Sequence, residues 1–103
     1  MSKGNEGKYE PTLVYASCIE AIARVRRFGI DKHGSSEDWR TTEPRLHFDA
    51  CLRHIEAYLN GEDTDSQSGL SHLAHAAANL MFEIERKSDN SKPRFPIDDS
   101  VCK

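Results

Sequence analysis

Cysteine is scarce and poorly spaced for chemistry: Cys18, Cys51 and Cys102 offer no CxxC pair, and an odd number cannot close into a disulfide framework. A reducing compartment suits such a chain, so the cytoplasm is the default expectation. No apolar run approaches the roughly 18 residues of a membrane span, and no cationic start leads into an apolar stretch. Neither a membrane partner nor a secretory leader is expected. A surplus of positive charge is also missing. Lysine and arginine total 14 against 17 aspartates and glutamates, giving a net charge of -3, which argues against a general duplex-binding protein that gains affinity by neutralising phosphates. There is no Gly-x-Ser-x-Gly elbow, no GxGxxG, no P-loop and no evident cysteine–histidine–acid set, so motif-based hydrolase, kinase and dehydrogenase readings drop out. No internal repeat is visible and no segment alternates with period two, so no strand is expected.

What remains is a short, polar chain with helical periodicity. At 103 residues it fits one domain, and a domain of this size buries only about two thirds of its unfolded surface. The spacing predicts a polar leader at residues 1–10, a single helical domain at 11–87 and a proline-containing tail at 88–103. Pro11 marks the first helical turn; Tyr15, Cys18, Ile19, Ile22 and Val25 then recur at three and four, and Gly29 supplies the stop. Thr42 is the expected N-cap of a second helix, Glu43 to Leu59, with Phe48, Leu52, Ile55 and Leu59 as its apolar stripe. Gly61 ends it. A third helix, Gly69 to Lys87, should bury Leu70, Leu73, Ala74, Ala77, Leu80, Met81 and Ile84, and turn His72, His75, Asn79, Glu83 and Arg86 outward. The fold class is therefore all-α, three amphipathic helices completing a bundle by homo-oligomerisation. In the tail, Phe95, Ile97 and Val101 could cover the domain or a neighbour.

The charged and aromatic residues carry two meanings. Arg45, Asp49, Arg53 and Glu56 form one alternating row at steps of four, four and three, which serves either as a surface ion-pair ladder or as the charged wall of a site. Trp39, the single tryptophan, lies in the polar loop from Gly29 to Pro44; it either tucks onto the core or offers a stacking face to a base. Arginines 24, 26 and 27 make a local basic patch suited to a small anion.

Residues 61–80, GEDTDSQSGLSHLAHAAANL, look at first like a metal site. A calcium loop does not match, because Gln67 is a poor third ligand, Gly69 falls one place late and Ala74 occupies the position of the bidentate glutamate. Zinc would have to use His72 and His75, three apart with no glutamate between them, and a third ligand from Asp49, His54 or the acids at 62–65. Magnesium asks less of the protein: one or two carboxylates among Asp49, Glu62, Asp63 and Asp65, with the remaining oxygens from water and phosphate. Nearby arginines would grip that phosphate bidentately.

Taken together, AIARVRRFGIDKHGSSEDW and RLHFDACLRHIEAYLNGEDTDSQSGLSHLAHAAANLMF resemble the phage domain family named for the N-terminal part of dATP/dGTP diphosphohydrolases. The most specific segment comprises Arg53, His54, Glu62, Asp63, Asp65, Ser68, Gly69, Leu70, His72, His75 and Asn79, with Gly34, Trp39, Arg45 and Asp49 upstream. The resemblance implies an α-helical phage or prophage protein that handles purine nucleotides, by likeness to all-α nucleoside triphosphate pyrophosphohydrolases, whose E-E-x-x-E and E-x-x-D helices hold Mg²⁺. This sequence departs from that pattern: its first helix has only Glu20, its second has Asp49 and Glu56 seven apart, and Gln67 replaces an acid. Binding is thereby favoured over hydrolysis. The expected nucleotide-contacting residues are Lys32, Trp39, Arg40, Arg45, Arg53, His54, His72, His75 and Asn79, with Asp49, Glu62, Asp63 and Asp65 for a metal. The expected function is binding of a purine nucleotide or nucleotide-derived signal, such as sequestering a host antiviral messenger in the cytoplasm of an infected bacterium. The alternative is a Mg²⁺-dependent dATP/dGTP diphosphohydrolase.

Overall fold

A computed structural model describes residues 7–89; residues 1–6 and the tail from residue 90 onward, including Phe95, Ile97 and Val101, lie outside the described residues. Three α-helices form in order, α1 (Ala16–His33), α2 (Pro44–Leu59) and α3 (His72–Ser88), with 3-10 turns at Pro11–Leu13 and Asp38–Thr41. Among the described residues the only β-type pairing is an isolated bridge between Thr64 and Ser71. The chain is all-α, as its periodicity predicts. Helix α3 is central, packing chiefly on α2 and also on α1 and the Asp38–Thr41 turn.

The helix ends differ from expectation for local reasons. Pro11 starts only a 3-10 turn, because Val14 is extended, and α1 begins after Tyr15. Gly29 lies inside α1, and the helix ends instead at Gly34, whose φ of 80° is left-handed and whose N–H bonds to the Ile30 carbonyl at 2.7 Å. A glycine inside a helix weakens it by roughly 0.5–1 kcal/mol but does not stop it; a positive φ does. Thr42 is not the cap of α2. Its hydroxyl donates to the Asp38 carbonyl, and Pro44, with its preset φ, makes Glu43 the residue before the first turn. Nor does α3 start at Gly69. Ser71 caps it, its Oγ accepting from the Leu73 N–H at 3.0 Å, a bond worth about 1 kcal/mol. Gly69, with φ 72°, belongs to the preceding loop, which closes on itself through Asp65 N–H to Leu70 O (2.8 Å) and Gly69 N–H to Asp65 O (2.7 Å). Gly61, φ 96°, turns the chain out of α2 where expected.

The larger correction concerns which faces are buried. Helix α2 turns His47 and Cys51 inward, and Leu52 and Leu59 are left 63% and 76% exposed. Helix α3 buries His72, Ala74, His75, Ala76, Ala78 and Glu83, while Leu73, Leu80 and Ile84 face outward. Along α1, Val25 is buried and Ile22 half-buried, but Tyr15 and Ile19 are exposed. The polar row of α3 expected to face solvent is therefore its inner face. Small residues explain how: Cys51, Ala74 and Ala78 let the helix backbones approach closely, and the polar side chains beside them find partners across the gap. Val25, Ala74 and Ala78 form one apolar cluster, flanked by Ala21, Ile22 and Leu70, and Trp39, Cys51 and Ala76 are the other buried apolar residues among those described.

The central polar partner is Glu83. Its Oε2 lies 2.5 Å from His47 Nδ1 and 2.8 Å from Arg86 Nη2, with the Glu83 side chain only 9% exposed. Arg86 then donates to the Trp39 and Arg40 carbonyls at 2.9 and 3.0 Å, fastening the Asp38–Thr41 turn onto α3.

Candidate functional site

That fastened turn closes one side of a cavity of about 470 Å³ between α1, α2 and α3. Its walls include Phe28, Trp39 and Phe82, together with the cations Arg26 and Lys32. Trp39 stacks on Phe82 with ring centroids 5.0 Å apart and planes 13° apart, and His47 tilts against the same phenyl ring at 5.0 Å. The Arg26 guanidinium sits 5.2 Å over Phe82 and donates to the Ser36 carbonyl at 2.9 Å. Lys32 lies 6.0 Å over Phe28 and donates to Gln67 Oε1 at 3.1 Å, so it tethers the 65–70 loop to α1. Asn79 donates to the His75 carbonyl in its own helix at 2.9 Å. Flat apolar walls with cations at their edge suit a flat aromatic ligand carrying negative charge.

Beside this cavity lies a cluster of imidazoles. His75, itself a cavity wall, stacks on His54 with centroids 4.5 Å apart and planes 11° apart. His54 Nδ1 approaches His72 Nδ1 at 2.8 Å, and His72 Nε2 meets Glu62 Oε1 at 2.6 Å. Ser68 Oγ lies 2.7 Å from His75 Nε2. Burial, and then the neighbouring His75 and His72, hold His54 below the usual imidazole range; burial likewise lowers His75 against the opposing pull of Asp65. Burial pushes the Asp65 carboxyl up, but the Ser68 and Gln67 N–H groups and His75 together outweigh it and lower its pKa. At neutral pH His54 and His75 are therefore uncharged beside the ionised Asp65 carboxylate.

The expected site residues are not all brought together. Lys32, Trp39, His75 and Asn79 line the cavity, while His54 and His72 belong to the adjoining imidazole cluster. Arg40 covers the Trp39 ring at 4.4 Å and pairs with Glu37, outside the cavity lining. Asp49 and Arg53 border a shallow groove on the outer face of α2 with Leu52, Glu56 and Leu59, and Arg45 is exposed on the same helix. The four acids expected to hold Mg²⁺ are not gathered. Asp49 is in that outer groove, Glu62 turns toward His72, Asp63 is exposed, and Asp65 folds back onto its own loop. Among the described residues these four carboxylates therefore do not form one ligand group, and Mg²⁺ would have to rely on one or two of them with water and phosphate.

The expected nucleotide-contacting set left out Phe28, His47 and Phe82, and placed Arg26 only in a general basic patch. Phe28 continues the Ile22–Val25 spacing by three residues, at the expected helix end. A usable signal was nonetheless there: His75, Asn79, Glu83 and Arg86 repeat at helical spacing with balanced charge, a pattern that can satisfy itself inside a protein as well as on its surface.

The family described as dATP/dGTP diphosphohydrolase, N-terminal, matches residues 1–94. This chain belongs to that family. Among curated relatives, a dATP/dGTP diphosphohydrolase of Salmonella phage PMBT28 is 35% identical over 80 residues, covering 78% of this chain and 27% of that protein. The chain thus spans about a quarter of the relative's length. No solved structure matches it. No helix among the described residues of this N-terminal family member is long and apolar enough to cross a membrane.

Proposed function

We propose that this member of the diphosphohydrolase N-terminal family binds a purine nucleotide in the cavity between Phe28, Trp39 and Phe82, and that holding the nucleotide is the task of its own residues. The observation that carries this reading is the pairing of stacked aromatic walls with Arg26 and Lys32 on one concave surface. A base would lie against the rings, and its phosphates would meet the cations. For a phage chain in the host cytoplasm, such binding would sequester a purine nucleotide or a nucleotide-built antiviral signal. The second reading, a Mg²⁺-dependent dATP/dGTP diphosphohydrolase, is favoured by the name of the phage relative and would use Glu62, Asp63 and Asp65 or Asp49 for the metal, with Arg45 and Arg53 on the phosphates.

One titration separates them. Trp39 is the single tryptophan, so its fluorescence should change on adding dATP, dGTP, a cyclic dinucleotide or ADP-ribose, and heat should return the ligand intact by chromatography. A new product marks the hydrolase reading. Arg26→Ala should weaken binding about tenfold, equivalent to about 1.4 kcal/mol. Unchanged fluorescence with every ligand, or unchanged affinity in a folded Arg26→Ala protein, counts against the cavity as the binding site.

We also infer that a second copy of this chain covers the outward leucines, since Leu52, Leu59 and Ile84 are each more than 60% exposed on adjoining helices. Sedimentation should give a dimer or larger, and Leu52→Asp with Leu59→Asp should return a monomer. A monomeric wild-type chain would remove the self-association reading and leave nucleotide binding intact.

A further inference from the structure

Outside the cavity lining, the side chains of His54, Asp65 and His72 bring two imidazoles and a carboxylate together. Each offers one ligand atom, and the three atoms lie within 4.8 Å of one another. His72 is the informative member. Its Nε2 faces Glu62 Oε1 at 2.6 Å, and a carboxylate there fixes the ring proton on Nε2, leaving the Nδ1 lone pair aimed at His54 Nδ1, 2.8 Å away. A metal-bound histidine has this arrangement, with one nitrogen on the ion and the other N–H on a carboxylate that orients the ring.

The carboxylate in the group is equally prepared. Asp65 Oδ2 accepts the N–H groups of Gln67 and Ser68 at 3.1 and 2.8 Å, which holds the side chain in place and leaves Oδ1 for another partner. His54 is oriented from its other face, its ring stacked on His75. Two of the three residues come from the ends of different elements, α2 and α3, and the third from the loop joining them. That loop is locked by the Thr64–Ser71 bridge and by His72 N–H to Asp63 O at 3.0 Å. The cluster is half-buried to buried and spans 18 residues of sequence between its two imidazoles.

We propose that His54, Asp65 and His72 form a binding site for a divalent first-row transition ion of the zinc class, with Glu62 orienting His72 from behind. Two imidazoles and one carboxylate are a nitrogen-rich set, which suits zinc or cobalt and not magnesium. Metal–ligand bonds of about 2.0–2.1 Å in a tetrahedron place neighbouring donors about 3.3 Å apart. The separations in this cluster, 2.8 Å and up to 4.8 Å, bracket that value. Three protein ligands leave one position for water or for an oxygen of a bound molecule. His75 joins the cluster to the aromatic cavity, but the metal proposal stands on the donor set and does not rest on nucleotide binding.

The test uses the metal alone. Purified chain, stripped with chelator and exchanged into buffer without nucleotide, is titrated with Co²⁺ and followed by its visible d–d absorption, then with Zn²⁺ to displace it. One tight site per chain is expected, with tetrahedral N/O-type bands and without the sulfur charge-transfer band that Cys18 or Cys51 would give. Excess Mg²⁺ should not compete. Asp65→Asn and His54→Gln should each abolish the tight site, and Glu62→Gln should weaken it about 10–100-fold while leaving the spectrum's shape. Circular dichroism on the metal-free variants shows whether each is folded. Since Glu62 is largely exposed, its variant keeps the comparison available even where His54→Gln does not fold. No saturable Co²⁺ spectrum from the wild-type chain, a thiolate spectrum, or equal affinity in folded Asp65→Asn would each overturn the proposal.

Discussion

Replacing Glu83 by alanine is expected to destabilise the chain by about 3–5 kcal/mol, the usual cost of removing one partner from a buried ion pair. The size follows from what remains behind. Arg86, with a side chain only 13% exposed, would keep its charge and its bonds to the Trp39 and Arg40 carbonyls but lose its carboxylate, and His47 would lose its 2.5 Å partner. A small domain has a net stability of only about 5–15 kcal/mol, so a loss of this size takes away much of it. Urea unfolding followed by circular dichroism measures it directly. Glu83→Gln should cost less, because the amide still fills the space and one oxygen still accepts from Arg86. A loss below about 1 kcal/mol in Glu83→Ala would mean that water readily takes the place of the carboxylate.

The Glu83 network also explains what could be read from the sequence and what could not. The number and order of helices follow from local spacing, apolar residues at three and four with Gly61 ending α2, whereas the end of α1 at Gly34 and the starts after Tyr15, Glu43 and Ser71 were displaced from expectation. Which face turns inward is not local. Helix α3 carries two usable stripes, one through Leu73, Leu80 and Ile84, the other through His75, Asn79, Glu83 and Arg86. The choice is made by His47, 36 residues from Glu83, and by the Trp39 carbonyl, 47 residues from Arg86. A periodicity argument sees hydrophobicity along one helix but not a hydrogen-bond partner on another. It therefore assigns the leucines to the core and the ion pairs to solvent, the reverse of the packing found.

The candidate site divides along the same line. The family resemblance covered roughly residues 20–83, with its most specific segment at 53–79, and the family match covers residues 1–94. Lys32, Trp39, His75 and Asn79 could be singled out by residue type, and they converge on one cavity. Asp49 and Arg53 were grouped with them because four-residue spacing aligned them, but alignment along α2 places both on the side away from α3, in the outer groove. Helical spacing fixes which side chains share a face; it does not say what that face meets. The His54–Asp65–His72 grouping needed the loop's own fold, because Asp65 reaches the imidazoles only after its backbone turns back on Leu70 and Gly69.

Trp39→Ala should produce the second large effect, because one side chain closes the cavity and anchors its turn. Trp39 is 8% exposed, stacked on Phe82 and covered by Arg40 at 4.4 Å and Arg86 at 5.7 Å. Truncating a buried tryptophan costs about 3–5 kcal/mol, from lost burial and from the void that remains. Trp39→Phe keeps the stack on Phe82 and should recover most of that stability, since a phenyl ring still covers Phe82 but leaves a smaller gap. The two variants separate folding from binding. If a base lies against this wall, Trp39→Phe should remain folded and still bind nucleotide, whereas Trp39→Ala, which removes the ring that supports Phe82, should bind it more weakly even at temperatures where it stays folded. Calorimetric titration of each variant with the best nucleotide of the fluorescence panel measures this. Equal affinity in wild type and folded Trp39→Ala would assign Trp39 to packing alone and move the base-binding surface to Phe28.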